Sequence, residues 1–168
     1  MSNSVKFELS EIESSCDEEY EHVEERIPRI SEMSHSEAKR AFIRSIKNEN
    51  HSNLKRILKH RDDIDVNMNS GWPLLYSIEN DCYSIFNILI SQPDINLNIQ
   101  SGKPLLLTIE HGRYEMFRKL LKEDVDLNLC TGRLINVVKE SEDSRYKFHL
   151  TKRGFMHFHA HTPSYLKR

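Results

Sequence analysis

Apolar residues recur along this chain in trios spaced three and four positions apart: Leu54, Ile57 and Leu58; Phe86, Leu89 and Ile90; Phe117, Leu120 and Leu121. That spacing puts each trio on one face of a helix. Ahead of the second and third trios stand two further runs, Trp72-Pro73-Leu74-Leu75-Tyr76-Ser77-Ile78-Glu79 and Lys103-Pro104-Leu105-Leu106-Leu107-Thr108-Ile109-Glu110. A proline opens each run, and it suits a first helical turn, where the missing N–H had no intrahelical partner and the fixed φ is already helical. The pattern predicts first helices near 73–80 and 104–111 and second helices near 83–91 and 114–122. Upstream, Ser34-His35-Ser36-Glu37 has the form of a capping box, so order is expected to begin near Ser34, with Phe42, Ile43 and Ile46 forming the apolar face of a first helix.

Between the helix pairs one phrase returns: Ile64-Asp65-Val66-Asn67 with Gly71, Ile95-Asn96-Leu97-Asn98 with Gly102, and Val125-Asp126-Leu127-Asn128 with Gly132. The Gly-to-Gly steps are 31 and 30 residues. A period of this size predicts an all-α solenoid, in which a unit too small to bury its own apolar face stacks on copies of itself.

At Gly102, Pro104, Leu105, Glu110-His111-Gly112, Leu120-Leu121 and Asp126-Leu127-Asn128 the chain resembles the ankyrin-repeat family, over roughly residues 37–140. The resemblance implies stacked helix pairs with short loops, and it makes His111 a structural residue of a helix-to-helix turn. No unit has the family's Thr before Pro, and Leu75 and Leu106 stand where its His would be. Without the hydrogen bonds of that Thr and His, the units are expected to lean on apolar contact. The short Asn-to-Gly link predicts stubby hairpin fingers. In the fourth unit Arg133-Leu134-Ile135 replaces the Pro-Leu opening with no Leu-Leu helix after it, which reads as a terminal half-repeat.

Composition refines this picture. Residues 1–37 carry 11 acidic and 3 basic side chains, residues 38–144 carry 15 of each, and residues 145–168 carry 6 basic and none acidic. The expected organisation is an acidic, disordered head (1–33), a repeat domain (34–143) and a basic, His-rich tail (144–168). Burial within the head is too slight to offset the entropy of ordering it. It reads either as a solvating tail or as an arm for a basic partner. No apolar run is long enough to span a membrane and the acidic start is no signal peptide, so a soluble protein of cytoplasm or nucleus is expected. Three cysteines, Cys16, Cys82 and Cys130, are an odd number without metal-site spacing and are expected to stay reduced.

In the tail, Tyr146-Lys147-Phe148-His149-Leu150 and Met156-His157-Phe158-His159-Ala160-His161 alternate apolar with polar, the period of a half-buried strand. A Lys152-Arg153-Gly154 loop with Gly154 left-handed would pair them as a β-hairpin. Packed near Val137 and Val138, that hairpin would cap the solenoid. Its other face would carry His149, His157 and His159, with His161 alongside. These read as a solvated polar face, as contacts to an acidic surface or nucleic acid, or as weak candidates for a divalent metal, with no carboxylate in the segment to orient the rings.

Gly-x-Ser-x-Gly, His-Glu-x-x-His and phosphate-cradling glycine loops are all missing, so neither an enzyme nor a cofactor or small-molecule substrate is expected. Ankyrin-like solenoids serve mainly as platforms for protein partners, using finger tips and the exposed side of the first helices. The candidate contact residues are Trp72, Lys103 and Arg133, which follow the three repeat glycines, together with Tyr76, Asn69 and Gln100. Trp and Arg are enriched at binding hot spots. Trp72 reads either as such an anchor or as packing on Pro73 or Pro104. The resemblance extends to short inhibitors of the IκB type, cellular or viral, that mask transcription factors, although their Asp-Ser-Gly-x-x-Ser degradation motif is absent. The alternative is a solenoid that displays a basic tail to nucleic acid or a divalent metal.

Overall fold

Ser34 caps the first helix in the manner its sequence implies: its Oγ accepts the Glu37 N–H (3.3 Å), and a Glu37 carboxylate oxygen accepts the Ser34 N–H (2.9 Å). The structure, a computed structural model, describes residues 29–154 apart from residue 124. Among these residues it is all-α: α1 (His35–Lys47), α2 (His51–His60), α3 (Met68–Glu79), α4 (Tyr83–Ile90), α5 (Ile99–Glu110), α6 (Tyr114–Leu120), α7 (Thr131–Glu140) and α8 (Ser144–Lys152). Two 3-10 turns, Ile30–Glu32 and Leu127–Cys130, complete it.

The helices come in pairs, and the turns within three of the pairs share one construction. Glu49, Asp81 and Gly112 take positive φ (51°, 58° and 67°). The next N–H in each case reaches back five residues, Asn50 to Ser45 (2.8 Å), Cys82 to Ser77 (2.8 Å) and Arg113 to Thr108 (2.6 Å). This is the Schellman ending, which satisfies carbonyls that a helix terminus leaves open. Along the chain α1 packs on α2 and α3, α3 on α4 and α5, α5 on α6 and α7, and α2 on α4. Phe42, Ile46, Leu54, Ile57, Ile85 and Leu89 form an N-terminal core with no exposed surface, and Phe86, Leu105, Phe117, Leu120, Leu134 and Leu150 belong to a second.

The stubby hairpin fingers are not found. Asn69, Ser70 and Gly71 are all left-handed (φ 52°, 57° and 83°), as are Gln100, Ser101 and Gly102 (φ 50°, 57° and 79°). Each of these two links closes as one left-handed turn, and the right-handed course of α3 starts only at Trp72; the third link, of the same length, forms the 3-10 turn Leu127–Cys130 instead. Pro73 thereby falls in a first turn, as predicted. Gly71 is further required by its neighbour, since a Cβ there would lie 2.4 Å from Ile99 Cδ1.

The hairpin cap is overturned in its first strand. Residues 146–150 lie within α8, whose N-cap Asp143 accepts the Arg145 N–H (3.0 Å). Tyr146 and Leu150, four residues apart, share one helical face and are buried, whereas Phe148, which a strand would place beside them, is 65% exposed. The second strand, 156–161, lies outside the described residues. With α8 the fourth unit also has its second helix and is no half-repeat. Ile57, Leu89, Leu120 and Leu150 each stand seven residues after their N-caps Asn50, Cys82, Arg113 and Asp143, and none is exposed. Gly154 is left-handed (φ 74°), but as the residue that ends α8, its N–H bonded to the Thr151 carbonyl (2.9 Å).

Candidate protein-binding surface

The repeating phrase is a device for joining one helix pair to the next. Asp65, Asn96 and Asp126 each use Oδ1 to accept the N–H two residues on, from Asn67 (2.8 Å), Asn98 (2.9 Å) and Asn128 (2.9 Å). These are Asx turns, in which a side-chain oxygen stands in for the backbone carbonyl of a turn. Asn67 then donates from Nδ2 to the Asp94 carbonyl (2.7 Å) and accepts the Asn96 N–H at Oδ1 (2.8 Å). Asn98 accepts the Asp126 N–H (2.9 Å) in the same way. The expectation is that the units lean more on apolar contact; the asparagines of the phrase add polar ties between them.

The left-handed turns are tied as well. Gln100 Nε2 donates to the Ser70 carbonyl (3.0 Å), and an Arg133 guanidinium nitrogen donates to the carbonyls of Ser101 (3.0 Å) and Gln100 (3.3 Å). Three of the predicted contact residues, Asn69, Gln100 and Arg133, thus lie in one row across successive units, and all three are exposed. Gln100 and Arg133 hold the row together by these bonds to main-chain carbonyls. Lys103 is half-buried at the start of the right-handed part of α5.

Trp72 is half-buried. It packs on the N-terminal core and on Tyr76, with ring centroids 4.9 Å apart, and the Lys47 ammonium sits over its ring, 5.9 Å from the centroid. Its packing is on the N-terminal core and Tyr76, where the sequence reading named Pro73 or Pro104, and part of its surface stays exposed. Lys47 belongs to a stripe, Arg40, Arg44 and Lys47, at spacings of four and three on the exposed side of α1. With Ile43 and Asn48 these residues line a shallow depression of about 300 Å³. None of the ion pairs among the described residues engages Arg40, Arg44 or Lys47. Sequence reasoning missed this stripe because it averaged charge over residues 38–144; taken alone, residues 38–61 hold eight Lys/Arg and one Glu.

Other charged groups serve the fold. Arg61 donates to the carbonyls of Ile30 and Met33 and forms a paired contact with Asp63 (2.7 and 2.8 Å), which fixes the turn before α1. The hydrogen bond from Arg61, then that from His35, holds the Asp63 carboxyl well below the usual carboxylate range. The candidate metal ligand His149 shares a 2.7 Å hydrogen bond between its Nε2 and the Tyr114 hydroxyl, while His157, His159 and His161 lie outside the described residues. Among the described residues no group of three or more His, Cys, Asp and Glu is placed to hold a metal ion. Cys82 and Cys130 are buried free thiols. Burial, then the Glu49 hydrogen bond, pushes Cys82 up to about 11, and burial raises Cys130. His111 caps the C-terminus of α5, the structural place expected of it. No described helix is long and apolar enough to cross a membrane. Compared with protein-family models, with curated proteins and with solved structures, the chain matches none.

Proposed function

We propose that this chain is a protein-binding module, built as ankyrin-like stacked helix pairs, that acts by covering a partner's surface. The contact side is the one on which the left-handed turns and the starts of α3, α5 and α7 lie. The observation that carries this reading is the row of turns bearing Asn69 and Gln100 and the start of α7 bearing Arg133, tied together by the side-chain bonds of Gln100 and Arg133 to the preceding turn. Trp72, which follows the first left-handed turn, packs against Tyr76. Such a row gives a partner polar groups at fixed spacing, and a half-buried Trp gives it an amphipathic anchor whose ordering is already complete. Masking of a transcription factor, in the manner of IκB-type inhibitors, is the narrower form of this reading and rests on the sequence resemblance alone.

The test is capture of partners from cell extract by the full-length chain and by the triple variant Trp72→Ala, Lys103→Glu, Arg133→Glu. Circular dichroism serves as the check of fold. Loss of capture with helical content intact supports the surface; capture retained by a folded variant rejects it.

A further inference from the structure

The basic stripe on α1 lies beside the point from which an acidic segment of the same chain departs. We propose that residues 11–25 dock on the face formed by Arg40, Arg44 and Lys47 of α1 and Trp72 and Tyr76 of α3. This deepens the proposed function, on which it rests, by giving one end of the partner surface an occupant of its own.

Charge is the first argument. Residues 11–25 carry eight carboxylates, Glu11, Glu13, Asp17, Glu18, Glu19, Glu21, Glu24 and Glu25, and no Lys or Arg. The first helix pair is the complement, and the exposed stripe on α1 has no ion pair among the described residues. The segment also carries Ile12, Tyr20 and Val23, apolar groups suited to the half-buried Ile43 and Trp72. Lys55, Arg56 and Lys59 of α2 are also exposed, but the stripe on α1 is the one joined to an aromatic pair.

Reach is the second argument. Ile30 is buried in the N-terminal core, Arg61 holds the Ile30 and Met33 carbonyls, and Met33 lines a depression together with Arg40 and Arg44. The tether is therefore anchored at the edge of the face. Four residues, Arg26 to Arg29, separate it from Glu25, and they span at most about 14 Å when extended. Arg40 to Lys47 spans seven residues of helix, about 10 Å, a length that residues 11–25 on such a tether are long enough to cover. A short tether gives an effective concentration on the order of 1 mM, so a segment that binds with a Kd near 100 µM in trans is about nine-tenths docked in cis. A protein partner competing for the same face then binds about tenfold more weakly than it would to the uncovered face. That is strong enough to screen out weak partners and weak enough to yield to a tight one.

Trp72 is the only Trp in the chain, so its fluorescence reports on this face alone. The experiment is acrylamide quenching of Trp72 in the full-length protein and in the full-length variant Glu18→Gln, Glu19→Gln, Glu21→Gln, Glu24→Gln, Glu25→Gln. Quenching should rise at least about twofold in the variant and, in the native chain, on moving from low to high salt, because the contact is made of exposed charges. A synthetic peptide of residues 11–25 should restore protection to the variant and leave the native chain unchanged. The variant Arg40→Glu, Arg44→Glu, Lys47→Glu, shown by circular dichroism to be folded, should expose Trp72 and lose the response to the peptide.

Equal quenching in native and head-neutralised chains overturns the proposal. Protection that grows with protein concentration assigns the contact to a second copy and overturns docking in cis. Protection of the neutralised variant by an oligonucleotide but not by the peptide overturns it in favour of nucleic acid. Each of these results leaves the partner surface standing if the capture experiment succeeds, whereas loss of that surface with Trp72 still protected removes the proposed function alone.

Discussion

Gly71, Gly102 and Gly132 occupy equivalent places in the repeating phrase, yet substitution by Ala should affect them very differently. At Gly71 two terms act. The left-handed backbone (φ 83°) disfavours any residue with a Cβ by about 1–2 kcal/mol. The new methyl would also lie 2.4 and 2.8 Å from Ile99 Cδ1 and Cγ2, an overpacking that adds about 1–3 kcal/mol. Gly71→Ala should therefore destabilise by about 2–5 kcal/mol. Gly102→Ala meets Cys130 Sγ at 2.9 Å with φ 79° and should fall at the lower end of that range. Gly132 has no positive φ and open space around its Cβ direction, within α7, so Gly132→Ala should be neutral or stabilising by up to about 1 kcal/mol. Gly112→Ala is the internal control: φ is 67° and nothing lies within 4 Å, so only the conformational term of about 1–2 kcal/mol remains. Urea titrations followed by helical circular dichroism, with m-values held equal, give the four differences. Similar losses at Gly71 and Gly132, or a Gly71 loss no larger than that at Gly112, would refute the argument that the left-handed turn and its Ile99 contact, and not the repeat as such, demand glycine.

Leu150→Ala should cost about 2–5 kcal/mol, like Leu89→Ala and Leu120→Ala, while Phe148→Ala stays within about 0.5 kcal/mol; the reverse order in urea melts would restore the strand. Asn67→Ala removes both bonds to the next unit and should destabilise by about 1–3 kcal/mol, read by the same titration; no change would mean water replaces them without loss. The Asp63 carboxyl is depressed in the folded chain, so its contribution is complete above its unfolded value near 3.9 and is lost as pH falls through the folded value. Asp63→Asn should make the decline of stability below pH ~4 less steep, and an unaltered acid profile would count against the Arg61–Asp63–His35 contact.

The helix pairs were legible because glycine, proline and apolar spacing act over a few residues. The Pro73 and Pro104 runs became α3 and α5, and the trios ending at Ile90 and Leu121 lie on or at the ends of α4 and α6. The last helix was not legible for a specific reason. In Tyr146-Lys147-Phe148-His149-Leu150 the apolar residues satisfy period two and, through Tyr146 and Leu150, a spacing of four. Only the N-cap Asp143 and the 30-residue step from Leu120 to Leu150 separate the two readings. The left-handed turn escaped notice because Asn69-Ser70 and Gln100-Ser101 carry no glycine until their third place, and link length does not mark it either, since the equally long link from Asn128 to Gly132 folds as the 3-10 turn Leu127–Cys130. At the candidate surface, residue positions after each glycine could be read, but the bonds of Gln100 and Arg133 to neighbouring carbonyls depend on separations of 30 and more residues.

The ties made by Asn67 and Asn98 reach only one unit ahead, and both come from the same place in the repeating phrase. A chain in which residues 67–97 are duplicated in tandem would present, at each new junction, the same amide to the same type of backbone N–H. Its length is then open to change by gene duplication without invention of a new joint, and loss of one unit closes by the same rule. The chemistry of one side chain, repeated, lets the number of contact sites grow or shrink while the spacing between them stays constant.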